Sequence, residues 1–313
     1  MIRPPALRTG SRIALVSPAS PFSRDEFDKG ADELRRLGFE PVYDDTVFDK
    51  GPFSSGPPER RAESFRRFWS DPSVDAVMAV RGGWGSAQIL PKLAGWEPQQ
   101  RAKLFIGYSD NTSLLSWLTC QCGVTAVHGP MIDGRLSRGA EGYDESSFMR
   151  VVTGDCVGLE LRPDGLLAVQ DGEASGPLFG GTMTLLCASL GTPFAFAPPE
   201  GCVLFLEDIN ERPYRIERLL TQLKFAGVLS RASAIVFGEM KGCQEGESRS
   251  EGENVLTARF VAEQVAEEFD GPILYGFPSG HATGPFWTLP LGVRVTVRSG
   301  AAPAVVIEES PVG

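Results

Sequence analysis

The feature that most restricts the fold is an alternation of apolar runs, small-residue turns and helix-spaced stretches that occupies the first ~130 residues. Residues 12–20 read RIALVSPAS, a β-branched run ending at a Pro/Ser turn, after which Phe27, Ala31, Leu34 and Leu37 recur at helical spacing before a stop at Gly38. Residues 39–43 supply a second short strand, and a proline-marked helix over 57–69 sets Ala62, Phe65 and Trp69 on one face. Residues 74–80 form a continuous apolar strand that runs into Arg81-Gly82-Gly83-Trp84-Gly85. A helix over 86–93, a strand over 103–106 and a helix from about 111 to 120 follow. This order predicts a Rossmann- or flavodoxin-like α/β domain, its parallel sheet covered on both faces and its ligand outside the carboxyl ends of the strands.

A chain of 313 residues exceeds what one hydrophobic core usually serves, so a second domain is expected. The reading is an N-terminal α/β domain over 1–135, a linker over 136–176 and a C-terminal mixed β/α domain over 177–313. In the latter, PLFGGTMTLLCASLG gives a glycine turn and a helix, and 202–206 a strand. An amphipathic helix over 214–225 carries Ile216, Leu219, Leu220 and Leu223. Residues 234–237 form a further strand, 260–269 a helix and 273–275 a strand, and TLPLGVRVTV and PAVVIEE are strands that close the second domain. The polar stretch 244–254 is expected to be a mobile surface loop. The 36 glycines and 24 prolines have no period, which excludes collagen and coiled coil.

A net charge of −10 argues against a nucleic-acid surface, which needs an excess of Lys and Arg, and favours a small-molecule or peptide partner. No run approaches the roughly 20 apolar residues of a membrane helix, and the apolar run 13–16 is too short for a secretion signal, so the expected location is the cytoplasm. The six cysteines lack C-x-x-C pairing and only two histidines occur, so buried reduced thiols are expected rather than a zinc site, and no metal is assigned.

Four features could carry chemistry. The strand LFIG breaks at Gly107 into Tyr108-Ser109-Asp110-Asn111 before a helix, which would present Ser109 on a sharp turn. The pattern G-x-S-x-G is half met, with Asn111 in place of the second glycine, and an N-cap role for Ser109 or Asp110 explains the same residues. The glycines after Arg81 allow close backbone approach and suit an oxyanion hole, an anion site or a plain tight turn. Glu207 ends the apolar strand CVLFL, where a carboxylate either faces a cleft or forms a cap or ion pair. His281 lies in the small-residue loop FPSGHA, whereas His128, beside Gly129-Pro130, reads as structural. A serine nucleophile needs a base oriented by a carboxylate, and the chain order Ser109, Glu207, His281 supplies all three types.

The motifs VRGGWGS, FIGYSDNTSLL, HGPM, LEDINERPYRIERLLTQL and GHATGPFWTLPLG resemble, in order and over positions 80–292, those of the LD-carboxypeptidases, the S66 serine peptidases. The resemblance implies Ser109 as nucleophile, Glu207 as triad acid and His281 as general base, with oxyanion donors from the backbone N–H of Asp110 and of Gly82 or Gly83. It implies no cofactor, a homodimer, and release of the terminal D-alanine from a murein tetrapeptide in cell-wall recycling. A related branch, the microcin-immunity peptidases, hydrolyses peptidyl or aminoacyl nucleotides instead. Trp84 stands where that family commonly has tyrosine, so it is a candidate pocket wall, and Arg81, Arg212 and Arg215 are candidates for the substrate carboxylate. A two-domain small-molecule binder that cuts no bond is the reading from another class.

Overall fold

The chain, described by a computed structural model over residues 1–245 and 256–313, begins with β1 (Arg12–Val16), α1 (Arg24–Arg36) and β2 (Glu40–Val42). Helix α1 shows why these residues fold locally. Phe27, Ala31 and Leu34 are buried on one face, while Asp25 and Glu26 in the first turn and Arg35 and Arg36 in the last complement the helix dipole. Then come α2 (Pro58–Ser70), β3 (Ala76–Ala79), α3 (Leu90–Leu93), β4 (Leu104–Gly107), α4 (Thr112–Ser116) and β5 (Ala126–His128). The expected helix over 86–93 is a 3-10 turn, Ser86–Ile89, that passes into α3, because Pro91 cannot donate a main-chain hydrogen bond.

The second half contains α5 (Glu145–Thr153), β6 (Glu160–Leu161), β7 (Leu167–Gln170), β8 (Gly172–Thr182), α6 (Met183–Ser189) and β9 (Cys202–Glu207). These are followed by α7 (Pro213–Phe225), β10 (Ala232–Gly238), α8 (Ala258–Ala266), β11 (Ile273–Phe277), β12 (Leu289–Leu291), β13 (Arg294–Ser299) and β14 (Ala304–Ile307). The stretch 136–176, read as a linker, therefore carries α5, β6, β7 and the start of β8. Gly180 and Gly181, read as a turn, continue β8 at φ 137° and 142°, and a Cβ on Gly180 would lie 1.9 Å from the Phe205 carbonyl oxygen. The polar stretch 244–254 lies, after its first two residues, outside the described residues.

The first sheet has the order β12-β5-β4-β3-β1-β2, parallel except for β12 at its edge. The segment TLPL, expected to close the second domain, thus pairs with the first: Leu289 lies opposite His128 and Leu291 opposite Ala126. The second sheet has the order β6-β14-β13-β8-β9-β10-β11-β7, with β8 to β11 parallel. Strand β8 is long enough to pair with β13 over its first half and β9 over its second, which fuses the two parts of that sheet.

The strand period of two decides how the sheets meet. Val203 and Phe205 of β9, with Ala234 and Val236 of β10, join the core that fills the first domain. Leu204, Leu206, Ile235 and Phe237 join a separate core beneath α6, α7 and α8. Glu207 continues the 203, 205 series, so its side chain falls on the face turned to the first domain.

Candidate active site

The turn after β4 places Ser109 at φ 61°, in the left-handed region that non-glycine residues rarely adopt. Such strain persists only where neighbours over-determine the backbone. Here the Asn111 amide donates to the carbonyls of Arg81 at 3.1 Å and Tyr108 at 3.3 Å. The residue that spoils the G-x-S-x-G pattern thus ties the serine turn to the glycine turn. On the far side the Asp110 carboxylate accepts from Ser86 N–H at 2.7 Å.

Of the two glycines, Gly82 is the one pressed against the serine. A Cβ there would meet Ser109 Cβ at 2.8 Å, its Oγ at 2.9 Å and the Asp110 nitrogen at 3.4 Å. Gly83 faces Ser20 instead, whose N–H donates to the Gly82 carbonyl at 3.1 Å. Ser20 Oγ also accepts from Trp84 N–H at 3.0 Å and donates to the Phe53 carbonyl at 2.8 Å. Trp84 and Phe53 are exposed and meet edge to face at 6.1 Å, so they form an aromatic rim beside the glycine turn.

From the second sheet, β9 ends at Glu207, 1 % exposed. The loop after β11 brings His281 against it, with Nδ1 2.8 Å from Glu207 Oε2 and Nε2 3.0 Å from Ser109 Oγ. Gly280 makes this approach possible: it lies at φ 86°, and a Cβ there would stand 2.5 Å from Glu207 Oε2. Thr182, at the end of β8, donates its hydroxyl to Glu207 Oε1 and its N–H to Thr112 Oγ1 at 3.1 Å. Sequence reading missed Thr182, because a threonine at a strand end carries no signal of a partner 25 residues away.

Burial would raise the Glu207 pKa, but the charge and hydrogen bond of His281 and the hydrogen bond from Thr182 bring it below the usual carboxylate value. For His281 burial pulls downward, yet the Glu207 carboxylate beside it leaves the pKa above 6.5. An ionised Glu207 only accepts, so the Nδ1 it faces carries the proton, and the neutral ring offers Nε2 to the serine hydroxyl.

His128 is fully buried and bonds Ser279 Oγ through Nδ1 at 2.8 Å, stacked on Phe286 at 5.5 Å. Burial pushes its pKa down to about 4, so it is neutral in a folded protein at pH 7. Arg81 pairs with Asp133 at 3.3 Å, and Arg215 with Glu211 at 3.4 Å. Arg212, exposed at the start of α7, has no ion pair among the described residues. All six cysteines are free, and burial raises each thiol pKa. Among the described residues no helix is long and apolar enough to cross a membrane.

The chain is similar to known proteins over most of its length. The murein tetrapeptide carboxypeptidase of Pseudomonas aeruginosa is 30% identical over 277 residues, 86% of this chain and 88% of that protein. The Microcin C7 self-immunity protein of Escherichia coli is 27% identical over 321 residues, covering 93% and 91%. The crystal structure of muramoyltetrapeptide carboxypeptidase from Oxalobacter formigenes matches with a TM-score of 0.83 at 26% identity, over 96% of this chain and 100% of that one. Residues 13–129 match the LD-carboxypeptidase N-terminal domain and residues 175–297 the LD-carboxypeptidase C-terminal domain of peptidase family S66, and the chain belongs to that family of serine peptidases.

Proposed function

We propose that the protein is an L,D-carboxypeptidase that releases the terminal D-alanine from murein tetrapeptide, acting as a cytoplasmic homodimer in cell-wall recycling. The observation that carries the chemistry is the continuous line from Ser109 Oγ through the His281 ring to Glu207. In this reading Ser109 Oγ bonds the scissile carbonyl carbon while its proton passes to His281 Nε2. His281 then gives that proton to the departing amine as the C–N bond breaks. Water, deprotonated by the same ring, releases the acyl group and regenerates the serine. Glu207 holds the ring and stabilises its charged form.

The developing oxyanion is assigned to Asp110 N–H and to the Gly82–Gly83 turn. The Gly82 carbonyl is taken by Ser20, so a trans peptide points the Gly83 N–H the opposite way, which supports Gly83 as the second donor. Arg81 and Arg215 already pair with carboxylates, which supports Arg212 over them as the cation for the substrate's terminal carboxylate. Trp84 and Phe53 would line the approach. The likeness to the Microcin C7 self-immunity protein supports a second reading, hydrolysis of an aminoacyl nucleotide.

A panel of muropeptides and aminoacyl-nucleotide analogues, assayed with wild type and Ser109→Ala, separates the two. Serine-dependent release of D-alanine supports the first reading, and turnover restricted to the nucleotide analogues replaces it. Absence of any labelling by a serine-directed fluorophosphonate would favour a binder that cuts no bond. Light scattering of the purified chain tests the dimer.

A further inference from the structure

His281 rides on a loop held from the side opposite Glu207 by one buried cation. Arg135 is 5% exposed, and among the described residues its guanidinium has no carboxylate partner. Nη2 donates to the carbonyls of Gly280 and Ala282, both at 2.9 Å, and these are the residues immediately before and after His281. Nη1 donates to the carbonyls of Gly284 at 3.0 Å and Gly142 at 3.3 Å. The Phe286 ring lies 5.6 Å from Cζ, and the Tyr108 hydroxyl also meets the guanidinium.

A buried charge without a counterion is a poor way to gain stability, since apolar side chains of similar volume do as well or better. Its placement does something an apolar residue cannot. With the peptide carbonyls on both sides of His281 fixed to one rigid fork, the residue between them loses its freedom to tilt. The imidazole is then constrained through its main chain by Arg135 and at its ring by Glu207.

We propose that Arg135 is a positioning residue for the reaction, clamping the carbonyls of Gly280 and Ala282 so that the His281 imidazole stays in line between Glu207 and Ser109, with a fixed positive charge set against the two carboxylates beside the ring. The electrostatics around the ring agree. Burial disfavours the protonated form, Glu207 at the end of β9 and, more weakly, Asp208 just after it favour that form, and Arg135 disfavours it. Glu239, after β10, anchors the far end of the loop by accepting Thr283 N–H at 2.8 Å. Tyr108 packs on the His281 ring at 5.5 Å, and the buried His128 is neutral. Arg135 is therefore the basic side chain set against two carboxylates.

This inference rests on His281 acting as the base, so the test follows Ser109 itself and does not depend on the natural substrate. The rate of fluorophosphonate labelling of the full chain is measured against pH for wild type, Arg135→Gln and Arg135→Lys, with thermal unfolding of each. If wild type labels no faster than Ser109→Ala, the serine-peptidase reading fails before the variants are compared. Otherwise Arg135→Gln is expected to lower the plateau rate about 10–100-fold, the scale of a misplaced reacting group. It should also move the acid limb to higher pH. Arg135→Lys restores the charge but not the planar fork, so its limb returns to the wild-type position while its plateau stays low. A folded Arg135→Gln with the wild-type plateau and limb overturns the proposal, as does an unmoved limb for its electrostatic half. Should Arg135→Gln not fold, a wild-type plateau in Arg135→Lys overturns the clamp.

Discussion

Glu207 and His281 are joined twice: one carboxylate oxygen, Oε2, accepts from the ring Nδ1 at 2.8 Å and from the main-chain N–H of the same histidine at 3.1 Å. The carboxylate therefore fixes the ring's rotation and the loop's position together, and its own orientation depends on Thr182 at Oε1. Replacing Thr182 with valine keeps the shape and removes that donor. We expect kcat to fall about 10-fold with KM held, and stability to drop by about 1–3 kcal/mol for an unpaired buried oxygen. Thr182→Ser should recover both, and an unchanged kcat in folded Thr182→Val would detach this residue from the reaction.

Ser109 sits at φ 61°, so its removal has two separable effects. Ser109→Ala and Ser109→Gly should both lose on the order of 10³-fold or more in turnover. Only glycine relieves the left-handed backbone, so Ser109→Gly is expected to be about 1 kcal/mol more stable than Ser109→Ala in urea unfolding. Equal stability of the pair would mean that the turn is unstrained.

Gly82→Ala places a methyl 2.8 Å from Ser109 Cβ and 2.9 Å from its Oγ, so one of the two turns must move. A shifted nucleophile and a displaced oxyanion donor together predict a loss of about 10²–10³ in kcat. Retention of wild-type kcat would show that the glycine serves the turn alone.

The pKa of His281 lies above 6.5 in the folded protein because of Glu207, and only its neutral form accepts the serine proton. The acid limb of kcat/KM should accordingly fall above pH 6.5. Glu207→Gln removes the charge that raises it, so the limb of any residual activity should move to lower pH. By linkage the favourable contribution of His281 to stability is complete below pH 6.5 and is lost as pH rises through its folded value.

His128 behaves in the opposite sense. Its folded pKa is about 4, so its neutral burial contributes fully above pH 6.5 and the contribution is lost as pH falls toward 4. Asp208, raised to about 6 by burial and by Glu207, opposes this in an overlapping window. The informative quantity is therefore the difference between wild type and His128→Asn, which shares Asp208. Over that pH interval the stability difference should shift by on the order of 3 kcal/mol in favour of the variant. A constant difference in pH-resolved urea unfolding would show that His128 does not titrate with folding.

The helical spacing of Phe27, Ala31 and Leu34 and the apolar run ending in Arg81-Gly82-Gly83 were sufficient to indicate strands, helices and the carboxyl-edge turns of the first sheet. Local chemistry settles such features, since each needs only neighbours within a few residues. The short run Leu289–Leu291 shows the limit, because three apolar residues prefer no sheet over another, and only packing assigns them beside β5.

The chain by itself determined that a serine lies on a strand-to-helix turn, that a carboxylate ends a buried strand and that a histidine sits in a glycine-flanked loop. It did not determine that they meet. Ser109 and His281 are 172 residues apart, and β9 is apolar on both faces, so its alternation could not tell which side would carry Glu207 toward the serine. Docking the Val203 and Phe205 face onto the first domain made that choice, and with it the line from Glu207 through His281 to Ser109.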